Sequence, residues 1–169
     1  IPFISPYMVA NVGVAEKELP LLYLVGGILT LIVVRLAGRL TDLHGKLRMF
    51  TLVAGLSALA ILTLTHLPRV PIHVAILASA FLMSMMSGRF VPAMALITSS
   101  VSPRLRGSFM SFNSSIQQLA SGTASFGASL LIGRNAVGEL THYGAVGILA
   151  VAATLASIYL ARRIRAAPG

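Results

Sequence analysis

Long apolar runs separated by short polar turns organise this chain. Residues 20–40, 49–67, 72–100, 107–132 and 143–161 are each close to or above the roughly 20 residues that a helix needs to cross a bilayer. The first run carries Arg35 and Arg39 only near its end, and the second has no charge. Arg89 interrupts the third, and the fourth is rich in small and polar residues. Residues 1–14 are apolar but too short to cross, and they contain Pro2 and Pro6. This segment reads as the outer end of a helix whose start is missing, so the chain reads as a fragment. A signal peptide does not fit, because no basic stretch precedes the apolar residues. The turns fall at 16–19, 41–48, 68–71, 101–106 and 133–142. Gly and Pro mark several of them, as at helix ends. The pattern predicts an all-α bundle of one shortened and five full transmembrane helices over residues 1–169, with no β-sheet.

Composition narrows the class. Hydrophobic residues make up 56% and charged residues 10%, against roughly 25% charged in a soluble domain. Mean hydropathy is +0.88, which leaves too little polar surface for a water-soluble enzyme domain or a disordered chain. Cysteine is absent, which removes disulfides, thiolate metal sites and a Cys nucleophile.

The formal net charge is +9. The basic residues lie between apolar runs, so they point to orientation in a lipid bilayer, not to nucleic acid. One side receives Arg35, Arg39, Lys46, Arg48, Arg104, Arg106, Arg162, Arg163 and Arg165, and the other Lys17, Arg69 and Arg134. That bias places the first side, with the C-terminus, in the cytoplasm of a multi-pass cell-membrane protein. In a bacterium that would be the inner membrane.

The turn after the first full span reads Gly38-Arg39-Leu40-Thr41-Asp42-Leu43-His44-Gly45-Lys46-Leu47-Arg48. Gly38 allows close helix approach. Asp42 ends the span and suits the positive N-terminus of another helix. Gly45 permits a tight reversal, and Lys46 and Arg48 hold the turn at the surface. An ordinary basic turn between helices is the plainer reading. The turn resembles the loop signature of the major facilitator superfamily, Gly-x-x-x-Asp-(Arg/Lys)-x-Gly-(Arg/Lys)-(Arg/Lys). Gly38, Asp42, Gly45 and Lys46 match, whereas Leu43 and Leu47 depart at basic positions. Such departures resemble the weaker copy between helices eight and nine of these transporters. The layout of a partial helix, this turn one span later, then four more spans and a basic tail resembles helices seven to twelve. Ser87–Ala93 and Pro103–Phe109 are similar to the tenth and eleventh helices of bacterial sugar and drug efflux permeases.

The resemblance implies one half of a twelve-helix transporter. Its partners would be a missing N-terminal six-helix half and a small-molecule substrate held between the halves. It implies secondary active transport by alternating access. Proton-coupled efflux of sugars, drugs or metabolites is the finer expectation, and no cofactor is implied. Asp42 would lock one closed state against the opposite half.

Arg89 is the strongest candidate for function within the spans. A charge at the bilayer centre costs at least about 2.5 kcal/mol, so it faces protein or water. Two readings are open: a residue of the substrate cavity, or a structural Arg bonded to the carbonyl that Pro92 frees at Gly88. All four acids, Glu16, Glu18, Asp42 and Glu139, fall in or beside turns. The four histidines, His44, His66, His73 and His142, are scattered, and no metal site is expected. Asn113, Gln117, Ser121 and Ser125 recur every four residues and stack on one helical face, with Gln118 beside them. They read as cavity wall or, for the serines, as helix packing. Tyr7, Asn11, Tyr23 and Thr30 add possible hydrogen bonds, with Tyr23 as a further cavity candidate and Tyr7 and Tyr23 equally suited to the membrane interface. Met83, Met85 and Met86 read as adaptable packing.

An enzyme would need a nucleophile with its base, paired carboxylates or a metal cluster inside the spans. The histidines and acids fall at turns or span ends, so none is placed within a span to activate a serine, and no phosphate loop for an ATP-driven pump appears. The alternative to a transporter is a membrane-embedded structural or assembly subunit.

Overall fold

The computed structural model describes residues 3–136 and 138–164. It is 83% helical. The first element, α1 (Ile4–Tyr7), continues as a π-turn over Met8–Val12 and stops at Gly13, whose φ of +88° suits glycine. A 3-10 turn over Glu16–Glu18 leads into α2 (Leu19–His44). Pro20 stands in the first turn of α2, where its missing N–H costs no helical bond. Then follow α3 (Lys46–Thr65), α4 (Ile72–Gly88), α5 (Phe90–Ser99), α6 (Arg106–Leu131) and α7 (Tyr143–Ala161).

Among the described residues, four stretches are long and apolar enough to cross a membrane: Glu16–His44, Lys46–Thr65, Ile72–Ser99 and Tyr143–Ala161. The remaining expected span, 107–132, is a continuous helix over Arg106–Leu131, 26 residues and about 39 Å long. Length is therefore sufficient, but α6 is more polar than the other four. The amides and serines that mark it as a candidate site are the cause.

Helix ends differ from the edges of the apolar runs. The helix α2 does not end at Asp42 but persists to His44, and α3 restarts at Lys46. The reversal is thus confined to Gly45, at φ +88° and ψ 147°, whose N–H donates to Thr41 O at 3.0 Å. Thr41 Oγ1 donates to Ala37 O at 2.6 Å, so the polar end of α2 keeps helical geometry. The expectation of no β-sheet also needs correction. Gly133–Arg134 (β1) and Leu140–Thr141 (β2) form a two-residue antiparallel pair, Gly133 opposite Thr141 and Arg134 opposite Leu140. Asn135 closes the hairpin: Glu139 N–H donates to its Oδ1 at 2.8 Å, and its Nδ2 donates to Glu139 Oε2 at 3.0 Å.

Lipid offers helices little hydrophobic drive to associate, so small residues decide how closely they pack. A Cβ on Gly26 of α2 would stand 2.6 Å from Met83 Sδ of α4. One on Gly88 would stand 2.9 Å from Val33 Cγ1. Between α3 and α7, a side chain on Gly147 would run into Thr65, and one on Gly144 into His66. The approach expected at Gly38 is ordinary by comparison, with Val91 Cγ1 4.0 Å from where a Cβ would be. The main core joins Tyr7, Met8, Val12, Leu22, Ile61, Leu64, Leu82 and Tyr143. A smaller one, Phe50, Ala54, Ile158 and Ala161, lies between α3 and α7. The helix α6 has no buried residue; within the bundle its main helical neighbour is α7.

Candidate functional site

The two polar features of the spans occupy different places. Arg89 lies at the junction of α4 and α5. Pro92 offers no N–H to Gly88, but the backbone at Arg89 stays helical at φ −66° and ψ −22°. Arg89 N–H donates to Met85 O at 3.1 Å, and Ala93 N–H donates to Arg89 O at 3.3 Å. The guanidinium does not bond to a carbonyl among the described residues. Its Nη1 donates to Ser57 Oγ of α3 at 3.3 Å and to Thr154 Oγ1 of α7 at 3.2 Å.

Each hydroxyl has one proton, and both protons are used elsewhere. Ser57 Oγ donates to Ala54 O at 2.8 Å, and Thr154 Oγ1 donates to Ala150 O at 2.8 Å. Both oxygens therefore offer lone pairs to Arg89. Ser57 and Thr154 are buried. A single cation thus ties three segments together through neutral acceptors. Sequence reasoning passed over these two residues, since each is a lone hydroxyl in an apolar run. The available signal was negative: with every acid in a turn or near a span end, an Arg well inside a span needs hydroxyls or carbonyls.

The α6 row is differently placed. Gln117, Gln118 and Ser121 are exposed, while Asn113 and Ser125 are half-buried. The Nδ2 of Asn113 is shielded from solvent and has no hydrogen-bond partner among the described residues. Thr30 Oγ1 of α2 is in the same condition. No hydrogen bond links the row to Arg89, whose side-chain partners lie on α3 and α7.

The outer candidates act as fastenings. Tyr7 stacks on Tyr143 with ring centroids 4.3 Å apart, and its hydroxyl donates to Leu67 O at 3.0 Å. Asn11 pairs with both backbone groups of Leu140, at 3.0 and 2.9 Å. Tyr23 Oη and Ser5 Oγ share a hydrogen bond of 2.5 Å. Arg69 Nη2 and Glu139 Oε1 form an ion pair at 3.0 Å at the same end. An open cleft of about 590 Å³ there is lined by Ser5, Val9, Glu16, Leu19, Arg134 and Leu140. It lies among the end loops and includes none of the α6 row.

At the opposite end, Asp42, Gly45, Lys46 and Arg48 are exposed, and Gly38 is half-buried. Asp42 forms no ion pair among the described residues. Those residues contain no group of three or more His, Cys, Asp or Glu able to hold a metal ion.

No curated protein and no solved structure matches the chain. The family model of the Major Facilitator Superfamily matches residues 1–169. The match agrees with a predominantly helical bundle that has four apolar spans among the described residues. Members of that family are membrane transporters, not enzymes. This chain belongs to the major facilitator superfamily.

Proposed function

We propose that the chain is the C-terminal half of a secondary transporter, helices seven to twelve, and that the polar face of α6 forms part of its substrate cavity. One observation carries the reading. A helix in a membrane bundle leaves Gln117, Gln118 and Ser121 exposed, with the Asn113 amide nitrogen unpartnered beside them. Amides in a bilayer face protein or water, not lipid. A second six-helix half across a water-filled cavity supplies both. Substrate would then be held by exchangeable hydrogen bonds to Asn113, Gln117 and Gln118 against an apolar wall, with Tyr23 at its outer edge. Alternating access follows from rocking of the halves about this site.

Arg89 has a positioning role in this account. It holds α3, the α4–α5 junction and α7 as one body, so that they move together. Asp42, exposed on the turn at Gly45, docks against the other half in one closed state, and Gly38, Lys46 and Arg48 shape and hold that turn. Proton coupling and efflux are the working form of the mechanism. The C-terminus is cytoplasmic in this proposal, following the basic bias of the loops.

The experiment is transport by the whole protein in proteoliposomes over a panel of sugars, drugs and metabolites, with and without a pH gradient. Saturable flux that a gradient accelerates supports the proposal. Absence of flux for every compound, from protein that is folded and correctly inserted, contradicts it.

A further inference from the structure

The loop end of α3 and the last turn of α7 meet in a cleft of about 580 Å³, lined by Leu47, Arg48, Thr51, Leu52 and Arg162. Phe50 and Ala161, one residue from Thr51 and Arg162, are buried in the smaller core, which fixes the spacing of the walls. Two guanidinium groups therefore share one cleft with an aliphatic lining. Among the described residues, the neighbouring groups leave both of them available. Thr51 Oγ1 already donates to Leu47 O at 2.9 Å. Arg163 is drawn to Tyr159, donating to its Oη at 2.5 Å and lying 5.0 Å from the ring centroid. No acid stands in the first turn of α3, and no side chain caps it. The N–H groups of that turn add positive potential at the mouth. Of the four acids, only Asp42 lies at this end of the bundle, and it is on α2.

We propose that this cleft binds an anionic phospholipid of the adjacent leaflet. Arg48 and Arg162 take the phosphate, and Leu47 and Leu52 carry the start of an acyl chain toward the bilayer. The membrane setting favours this occupant: Leu52, Leu155 and Leu160 are exposed on the helices that form the cleft, an apolar surface that suits acyl chains. Arg suits the role because its planar fork bonds two phosphate oxygens at once. The inference needs only that the bundle is embedded in lipid, so it stands apart from the cavity assigned to α6.

Native mass spectrometry of the whole protein in detergent, with phosphatidylglycerol or phosphatidylcholine added, tests it. Phosphatidylglycerol should be retained in preference to phosphatidylcholine. Arg48→Gln with Arg162→Gln should weaken that retention by roughly thirtyfold, from about fivefold for each basic residue near the surface. Arg69→Gln, at the other end, should change nothing. Thr51→Trp fills the cleft and leaves its charge intact, so it should also abolish retention, and it serves if the double variant does not fold. Millimolar inorganic phosphate should fail to displace the lipid. Equal retention of the two lipids would overturn the proposal. So would undiminished retention by the Gln pair or by Thr51→Trp, or displacement by free phosphate.

Discussion

Arg89 and Asn113 are both polar groups inside membrane helices, and the bundle treats them oppositely. Arg89 finds two buried hydroxyls on α3 and α7, so a charge is absorbed by the packed body of the molecule. Asn113, a neutral amide that is easier to satisfy, keeps a shielded and unpartnered nitrogen on a helix with no buried residue. Cost alone does not explain that contrast, since the more expensive group is the one satisfied. On the proposed function the difference is one of role: hydrogen bonds closed within the bundle hold helices together, and the one left open on α6 is reserved for substrate.

The largest expected effect tests whether the body around Arg89 is close-packed while α6 is not. Gly147→Ala places a methyl against Thr65 and should destabilise the protein by about 2 kcal/mol, the usual scale of over-packing. Gly122→Ala on α6, where nothing lies within 4 Å of a new Cβ, should stay within about 0.5 kcal/mol of wild type. Thermal unfolding in detergent measures both. A substantial loss at Gly122 would mean that α6 is tightly packed after all.

Next is the pair of hydroxyls. Ser57→Ala with Thr154→Val leaves the Arg89 guanidinium without side-chain acceptors and should cost about 1–2 kcal/mol, given the upper range measured between membrane helices. Transport should decline only as far as folded protein does. If activity vanished while stability held, Arg89 would belong to the cavity and the contrast would collapse.

Asn113→Leu should do the reverse. Removing an unpartnered amide should leave stability within about 0.5 kcal/mol of wild type, while transport falls about tenfold from the loss of roughly 1.4 kcal/mol of substrate contact. The smallest effect belongs to the turn. Asp42→Asn should slow transport severalfold without lowering the unfolding temperature, because Asp42 is exposed and unpaired among the described residues. Unchanged rates would leave it an ordinary helix end.

The sequence reveals most of the helices because a bilayer demands long apolar runs, and a run of 20 residues is hard to mistake. It also marks the turn at Gly45. It is less informative about where helices stop: apolarity ends with the lipid, whereas the α2 backbone continues past Asp42 until Gly45 reverses it. The two-residue pairing of Gly133–Arg134 with Leu140–Thr141 depends on Asn135 folding the loop back, and nothing periodic announces it. Arg89 is conspicuous in the sequence, but its partners are 32 and 65 residues away. Ser57 and Thr154 look like any other small polar residue in a span until the helices are packed. The α6 row is the converse case, since four-residue spacing alone is enough to put its side chains on one helical face.

The central claim, that this face borders water and not lipid, can be tested directly because the chain contains no cysteine. Cysteine would be introduced singly at Gln117, Ser121 and, as a control, Leu130 in the whole protein, and reacted in sealed vesicles with a water-soluble, membrane-impermeant maleimide. The account predicts rapid labelling at 117 and 121, both exposed on the row, and little at 130. Labelling at 117 and 121 only by a lipid-soluble reagent, at the rate seen for 130, would contradict it.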